Sequence, residues 1–208
     1  MIIGVTGGVG TGKSSILQIL NKEFDAVVIM ADEVSRDLMM PGEESYLEVV
    51  RYFGDGILTG GPQSPIDRAE LARIVFQDPE KLNALNNINH PLVRKRIEAL
   101  LKQYQKEAVR LIVIETAILI QVGYQDLVDE LWVVHTDPEI RVQRLIDSRG
   151  YTREKIADIM KNQLPDHVME QAADFVIDNS ADLDSARRQI EEHLNRFGIG
   201  PSDRKAAP

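Results

Sequence analysis

Residues 7–14 read Gly-Gly-Val-Gly-Thr-Gly-Lys-Ser, so that Gly7, Gly12, Lys13 and Ser14 stand at the spacing G-x-x-x-x-G-K-S. Backbone amides can close around a polyphosphate only where no Cβ intervenes and unusual φ/ψ values are open, which is why the spacing needs glycines. Lys13 would then offer a point charge to the β- and γ-phosphates and Ser14 a hydroxyl to Mg²⁺, with the dipole of the following helix adding to both. The apolar Met1-Ile2-Ile3-Gly4-Val5 ahead of the loop has the length of a buried parallel strand, and Ser15-Ile16-Leu17-Gln18-Ile19-Leu20 after it has helical composition. That context argues against a glycine-rich turn that merely happens to precede a lysine. Gly8, Gly10, Thr11, Gly12, Lys13, Ser14 and Ser15 are therefore the expected nucleotide-phosphate contacts.

The loop needs elements that bring further chemistry to the same edge. Residues 25–32 form an apolar run ending in Asp32 and read as a second strand, with ligands expected at its carboxyl end. Asp32 could take the proton of an attacking hydroxyl as general base, or cap a helix over 33–39; the pattern alone leaves both open. Residues 109–116 are the most hydrophobic stretch and read as a central strand bringing Glu115 to that edge, where it would order water around Mg²⁺ or meet the substrate. A fourth strand over 129–136 ends at Thr136, and a short fifth over 173–179 ends at Asn179. Between them Asp137-Pro138-Glu139 opens a helix carrying Arg141 and Arg144, interrupted at Arg149-Gly150 and resumed over 154–161. Two helices joined by an arginine-bearing turn suggest a lid whose arginines close over the phosphates. For Arg141 and Arg153 a solvated helix face is the favoured reading.

The remaining pattern is helical and lies between the second and third strands. Pro41-Gly42 ends one helix, 43–53 resumes with Tyr46, Leu47, Val50 and Phe53 on one face, and 54–65 reads as a loop. A helix begins at Asp67, another after Asp78-Pro79-Glu80, and His90-Pro91 predicts a break or kink before a helical run over 92–107. This predicts a helical lobe at about 41–107 inserted into an α/β core, with a lid at about 138–163. Residues 117–124 stay apolar and unassigned, a closing helix covers 183–197, and 198–208 reads as a disordered tail.

At 208 residues with 43% hydrophobic content the chain reads as one globular domain over 1–197. It shows no cationic leader and no run of about 18 apolar residues, so no signal peptide and no membrane span are expected, and the cytoplasm is the expected compartment. With no cysteine there are neither disulfides nor thiolate metal sites, and His135, His167 and His193 lack ligand spacing. A net charge of −9 argues against nucleic acid or an anionic membrane as partner, so an anionic substrate must meet a local basic site.

The motifs together resemble the dephospho-CoA kinase family over nearly the whole chain. The likeness rests on residues 4–14, Ala31-Asp32 with Pro41-Gly42, and Asp67-Arg68 leading to Ile74-Val75-Phe76. It continues through residues 88–93, Arg144, Gln163 and residues 173–179. The resemblance implies a P-loop kinase of three-layer α/β/α build with a five-stranded parallel sheet, a helical acceptor-side lobe and a lid. It implies Asp32 as catalytic base, Arg68 and His90 in acceptor binding, and Arg144 on the ATP phosphates. It also includes departures. The family usually has Asp-x-Asp where Met30-Ala31-Asp32 stands, a proline and an acid where Ala117 to Gln121 has neither, and a second lid arginine at Ser148, with Arg149 one place late.

The expectation is an ATP- and Mg²⁺-dependent kinase phosphorylating the ribose 3′-hydroxyl of dephospho-CoA, working as a monomer or weak homo-oligomer. Lys13, Asp32 and Arg144 are its catalytic residues; Arg149 and Asn179 join the nucleotide site, and Ser14 the metal. The alternatives are a nucleoside monophosphate kinase, or a nucleotide-binding regulator that has lost the chemistry. A GTPase is disfavoured because Asn21-Lys22-Glu23-Phe24 lacks the guanine-reading aspartate and lies in the first helix.

Overall fold

The computed structural model describes residues 1–202 and divides into two compact units, one made of Met1–Val28 with the chain from Tyr104, the other of Ile29–Gln103. The first is built on a five-stranded sheet in the order β2-β3-β1-β4-β5. Its strands are β1 (Ile2–Thr6), β2 (Val27–Met30), β3 (Ile112–Glu115), β4 (Glu130–His135) and β5 (Phe175–Asp178). β1 runs parallel to β3 with Val5 opposite Glu115, and parallel to β4 with Thr6 opposite Val133; β4 runs parallel to β5 with His135 opposite Asp178. Parallel strands all point their carboxyl ends the same way, so this register levels Thr6, Glu115, His135 and Asp178 at one edge.

Why these residues form a parallel sheet is visible in their burial. β3 is buried at every position, and β1 and β4 at all but their ends, the unbroken apolar pattern of strands covered on both faces. One face carries Ile3, Val5, Val113, Trp132, Val134 and Ile177. It packs against Ile16 and Leu20 of α1 (Lys13–Phe24) and Ala186, Ile190 and Leu194 of α9 (Leu183–Asn195). Alternating residues face the other side, where Ile112, Ile114, Leu131 and Val133 are also buried. This unit also includes α6 (Pro138–Arg149), α7 (Arg153–Lys161) and α8 (Asp166–Ala172). α8 is missing from the sequence reading, although Pro165 before an acidic residue is a helix-start signal.

The second unit contains α2 (Ala31–Leu38), α3 (Glu44–Phe53), α4 (Arg68–Gln77) and most of α5 (Pro79–Lys106). Its core is Tyr46, Val49, Ile57, Ile66, Leu71 and Val75. Partly buried polar groups tie its helices: Ser45 Oγ donates to Asn89 Oδ1 at 2.9 Å, and Asn89 Nδ2 donates to Ser35 Oγ at 2.7 Å.

Several expectations change. The second compact unit begins at Ile29, and α2 follows β2 with no linker. The second strand ends at Met30 rather than Asp32. Of the break or kink expected at His90-Pro91, the break does not occur; α5 runs through Pro91, and Val93, Ile97 and Leu101 keep a buried stripe at helical spacing beyond it. Pro91 removes one backbone bond, and burial of that stripe offsets the loss. The loop over 54–65 contains a 3₁₀ turn, Asp55–Ile57, and closes with a bridge between Leu58 and Ile66. The expected tail begins as packed chain: Ile199 is buried, and Ser202 N–H donates to the Glu23 carbonyl at 2.6 Å. Its remainder, 203–208, lies outside the described residues. No helix among the described residues is long and apolar enough to cross a membrane.

Asp67 caps α4, its carboxylate accepting from the Ala69 and Glu70 amides at 3.0 and 3.1 Å. Asp67→Ala should lower the stability of the protein by about 1 kcal/mol in urea denaturation, since both amides lose their partner.

Candidate functional site

β1 ends at Thr6 and the chain turns through residues 7–12 into α1. At its glycines the turn leaves no room for a side chain. A Cβ on Gly7 would lie 2.7 Å from the Val134 carbonyl oxygen, and one on Gly12, whose φ is +87°, would collide with Asn179 Nδ2. The Thr11 carbonyl accepts from Thr136 Oγ1 at 3.0 Å and Asn179 Nδ2 at 2.8 Å. A trans peptide sets its N–H opposite its C=O, so pinning the Thr11 carbonyl there sends the Gly12 N–H the other way. Among the described residues the amides of Gly10, Gly12 and Ser14 have no hydrogen-bond partner. They stand at the positive end of the α1 dipole, a ready anion cradle.

Cations gather around it. Lys13 Nζ donates to the Gly7 and Gly8 carbonyls at 2.8 and 3.2 Å, holding the ammonium at the mouth of the loop. Arg144, half-buried on α6, donates from Nη2 to the Asn179 carbonyl at 3.0 Å and from Nη1 to Thr136 Oγ1 at 3.5 Å. Its guanidinium lies beside Gly12 and has no carboxylate partner among the described residues. Unbalanced positive charge next to unpaired amides favours a polyanion. Ser14 is exposed at the start of α1, and Glu115 is buried at the end of β3. Asn179, expected in the nucleotide site, stands at the loop, donating to the Thr11 carbonyl and accepting from Arg144.

One arginine departs from expectation. Arg141 is buried rather than solvated, with only 3% of its surface exposed. Its position three residues before Arg144 on the same helix face was the available signal. Arg149 stands at the exposed end of α6, 5.9 Å from the Tyr151 ring centroid. Arg153 is solvated as read, paired to Glu139 at 3.3 Å with both side chains largely exposed. Gln163, part of the family likeness but given no role, accepts from the Val9 amide at 2.9 Å. His135 and His193 pair with Glu170 and Glu130 at 2.7 and 2.8 Å, which fits structural roles.

Asp32, Arg68 and His90 all belong to the second unit. Asp32 is the second residue of α2, exposed, and makes no hydrogen bond or ion pair among the described residues. Met30 holds the N-cap position, so the capping alternative falls away. Arg68 opens α4 and reaches the Arg36 carbonyl of α2 at 3.4 Å. His90 lies on α5 beside Asn89, the residue that binds Ser35 of α2, and burial pushes its imidazole pKa below the usual value.

A family model described as Dephospho-CoA kinase matches residues 1–185. A curated relative named Dephospho-CoA kinase from Carboxydothermus hydrogenoformans is 40% identical over 196 residues, 94% of each chain. A solved structure from Thermus thermophilus superposes with a TM-score of 0.78 at 28% identity, covering 95% of this chain and 97% of that one. A dephospho-CoA kinase from Campylobacter jejuni superposes with a TM-score of 0.70 at 24% identity, covering 94% and 96%, and shows the likeness of fold.

Gly12→Ala should weaken ATP binding about tenfold or more in calorimetric titration, because a Cβ strains the left-handed turn and pushes Asn179 off the Thr11 carbonyl. For His90 the lowered pKa means that the folded protein favours the neutral ring. Its stability contribution is complete above the usual pKa of 6.5 and is lost as pH falls through the lowered folded value. Melts from pH 7.5 to 5 should therefore fall less steeply in His90→Gln than in the parent.

Proposed function

The chain belongs to the dephospho-CoA kinase family, and from that premise we propose that it transfers the γ-phosphoryl group of ATP to the ribose 3′-hydroxyl of dephospho-CoA. The products are CoA and ADP, and the reaction is the last step of CoA biosynthesis. The observation that carries this reading is the cradle of unpaired amides at Gly10, Gly12 and Ser14, flanked by Lys13 and Arg144, within a family match over residues 1–185.

Phosphoryl transfer needs little covalent help from a protein and much positioning and charge stabilisation. In the proposal the loop amides hold the triphosphate, and Lys13 and Arg144 oppose the charge that develops on the transferred group. These donors are fixed before the nucleotide arrives, so little reorganisation accompanies the reaction. Asp32 accepts the proton of the ribose hydroxyl; its exposed and unpartnered carboxylate is available for that task. Arg68 and His90 are assigned to the acceptor, with His90 neutral at physiological pH and so able to donate one hydrogen bond and accept another. Glu115 is assigned to ordering water near the phosphates.

Mg²⁺ fits the same place. Ser14 presents an exposed hydroxyl at the start of α1, the kind of hard oxygen the ion takes alongside phosphate and water. With Ser14 as its protein ligand, the bound ion would supply neutralisation of phosphate charge. A cytoplasmic monomer or weak homo-oligomer is the proposed working form. Neither a nucleoside monophosphate kinase nor an inactive regulator is favoured, since the matched model and the curated relatives share the dephospho-CoA kinase description.

ADP release should be rapid with dephospho-CoA and near background with a panel of nucleoside monophosphates; the reverse preference would sink the assignment. Asp32→Asn should keep ATP binding and lose about 10²- to 10⁴-fold in turnover, the usual worth of a general base, and near-normal turnover would remove Asp32 from that role.

A further inference from the structure

We propose that Arg141 is a positioning residue that turns the tip of the phosphate loop into its binding conformation, with Asp166 as its support. The inference rests on the reading of the loop as the ATP site. Arg141 projects from α6, and its Nε donates to the Val9 carbonyl at 3.0 Å while Nη1 donates to Asp166 Oδ2 at 2.6 Å. The guanidinium also lies against Gly8, in space that a Cβ there would occupy.

The geometry of two consecutive peptides shows what this does. The Val9 carbonyl and the Gly10 N–H belong to one trans peptide, so drawing the carbonyl toward Arg141 turns the Gly10 N–H away from it. That amide is one of the three left unpartnered in the cradle. In the preceding peptide, Val9 N–H donates to Gln163 Oε1 at 2.9 Å, and the Gly8 carbonyl turns the other way to accept from Thr11 Oγ1 at 3.0 Å and Lys13 Nζ at 3.2 Å. Both polar groups of Val9 are thus held by side chains from the segment between α6 and α8. Without them the loop, with glycines on either side of Val9, has other conformations open to it.

The residue type follows. A buried guanidinium is retained only when its charge is paired and its donors are used, and Asp166 supplies the pairing. A guanidinium meets the carbonyl and the carboxylate with a rigid planar fork of fixed directions, whereas a lysine ammonium is a compact charge on a flexible stem. Because Asp166 balances the charge of Arg141, the pair adds little net field at the loop and acts through orientation.

The experiment measures ATP dissociation constants by calorimetry on the full chain for the parent, Arg141→Lys, Asp166→Ala and the double variant, with nucleotide-free melting for each. Arg141→Lys keeps the charge and should still bind ATP about tenfold more weakly, raising the KM for ATP and leaving that for dephospho-CoA unchanged. Asp166→Ala is the sharper arm. A purely electrostatic role makes ATP bind more tightly once a nearby negative charge is gone; a positioning role makes it bind more weakly. The Asp166→Ala effect should shrink in the Arg141→Lys background, as for residues acting as one unit. Parent-like affinity in Arg141→Lys, or tighter binding in Asp166→Ala, overturns the proposal, and Asp166→Ala decides it if the arginine variant fails to fold. A parent protein that binds no ATP overturns the functional reading itself, a result distinct from either.

Discussion

A ring of inward-facing amides can form only if the carbonyls of the same peptides are held outward, because a planar trans peptide fixes the two in opposition. The phosphate loop depends on this constraint, and much of the sheet unit serves it. Thr136 and Asn179 draw the Thr11 carbonyl away, Arg141 draws the Val9 carbonyl away, and Gln163 takes the Val9 amide. None of these side chains is adjacent to the loop in sequence. They reach it because β4 and β5 lie in register beside β1, and because α6 and the α7–α8 connection return to the same edge. Packing of Ile3, Val5, Trp132 and Val134 against α1 and α9 keeps the strands in that register. An apolar core thus sets the direction of a few hydrogen bonds, and those bonds set the chemistry.

Arg144 shows the same economy. Its donors rest on the Asn179 carbonyl and the Thr136 hydroxyl, neutral acceptors that orient the guanidinium without cancelling its charge. Arg141, three residues earlier, is neutralised by Asp166 and buried. Two arginines on one helix face therefore serve different ends, one supplying charge and the other geometry, according to whether a carboxylate stands opposite. In the second unit partly buried polar contacts set positions too. The Ser35–Asn89–Ser45 chain joins α2, α3 and α5, the helices that carry Asp32 and His90 among them, around a small core of their own.

The elements with strong local signals are legible in the residues alone. The strand, glycine loop and helix at the start of the chain follow from apolar runs and glycine spacing, and Asp67 announces the helix it caps. Legibility fails where a local signal is overruled or shared. Pro91 reads as a break or kink, yet the buried stripe beyond it carries α5 onward without a break. Asp32 reads equally as general base and as helix cap, and the cap reading fails because α2 begins one residue before it. The short α8 has little periodicity to display, and Ile199 sits in a polar tail whose composition conceals one buried anchor.

By itself the sequence determined the kind of ligand and the kind of fold: glycine, lysine and serine at fixed spacing after an apolar strand admit few other uses, because local backbone freedom and charge are properties of adjacent residues. It also carried the family resemblance that the match over residues 1–185 bears out. Only the tertiary structure decided which distant side chains complete the loop. Whether an arginine is solvated or buried, and whether an asparagine at a strand end meets ligand or backbone, depends on what long-range pairing places opposite it. Arg141 and Val9 are 132 residues apart in sequence and 3.0 Å apart in the fold. No local pattern specifies that contact.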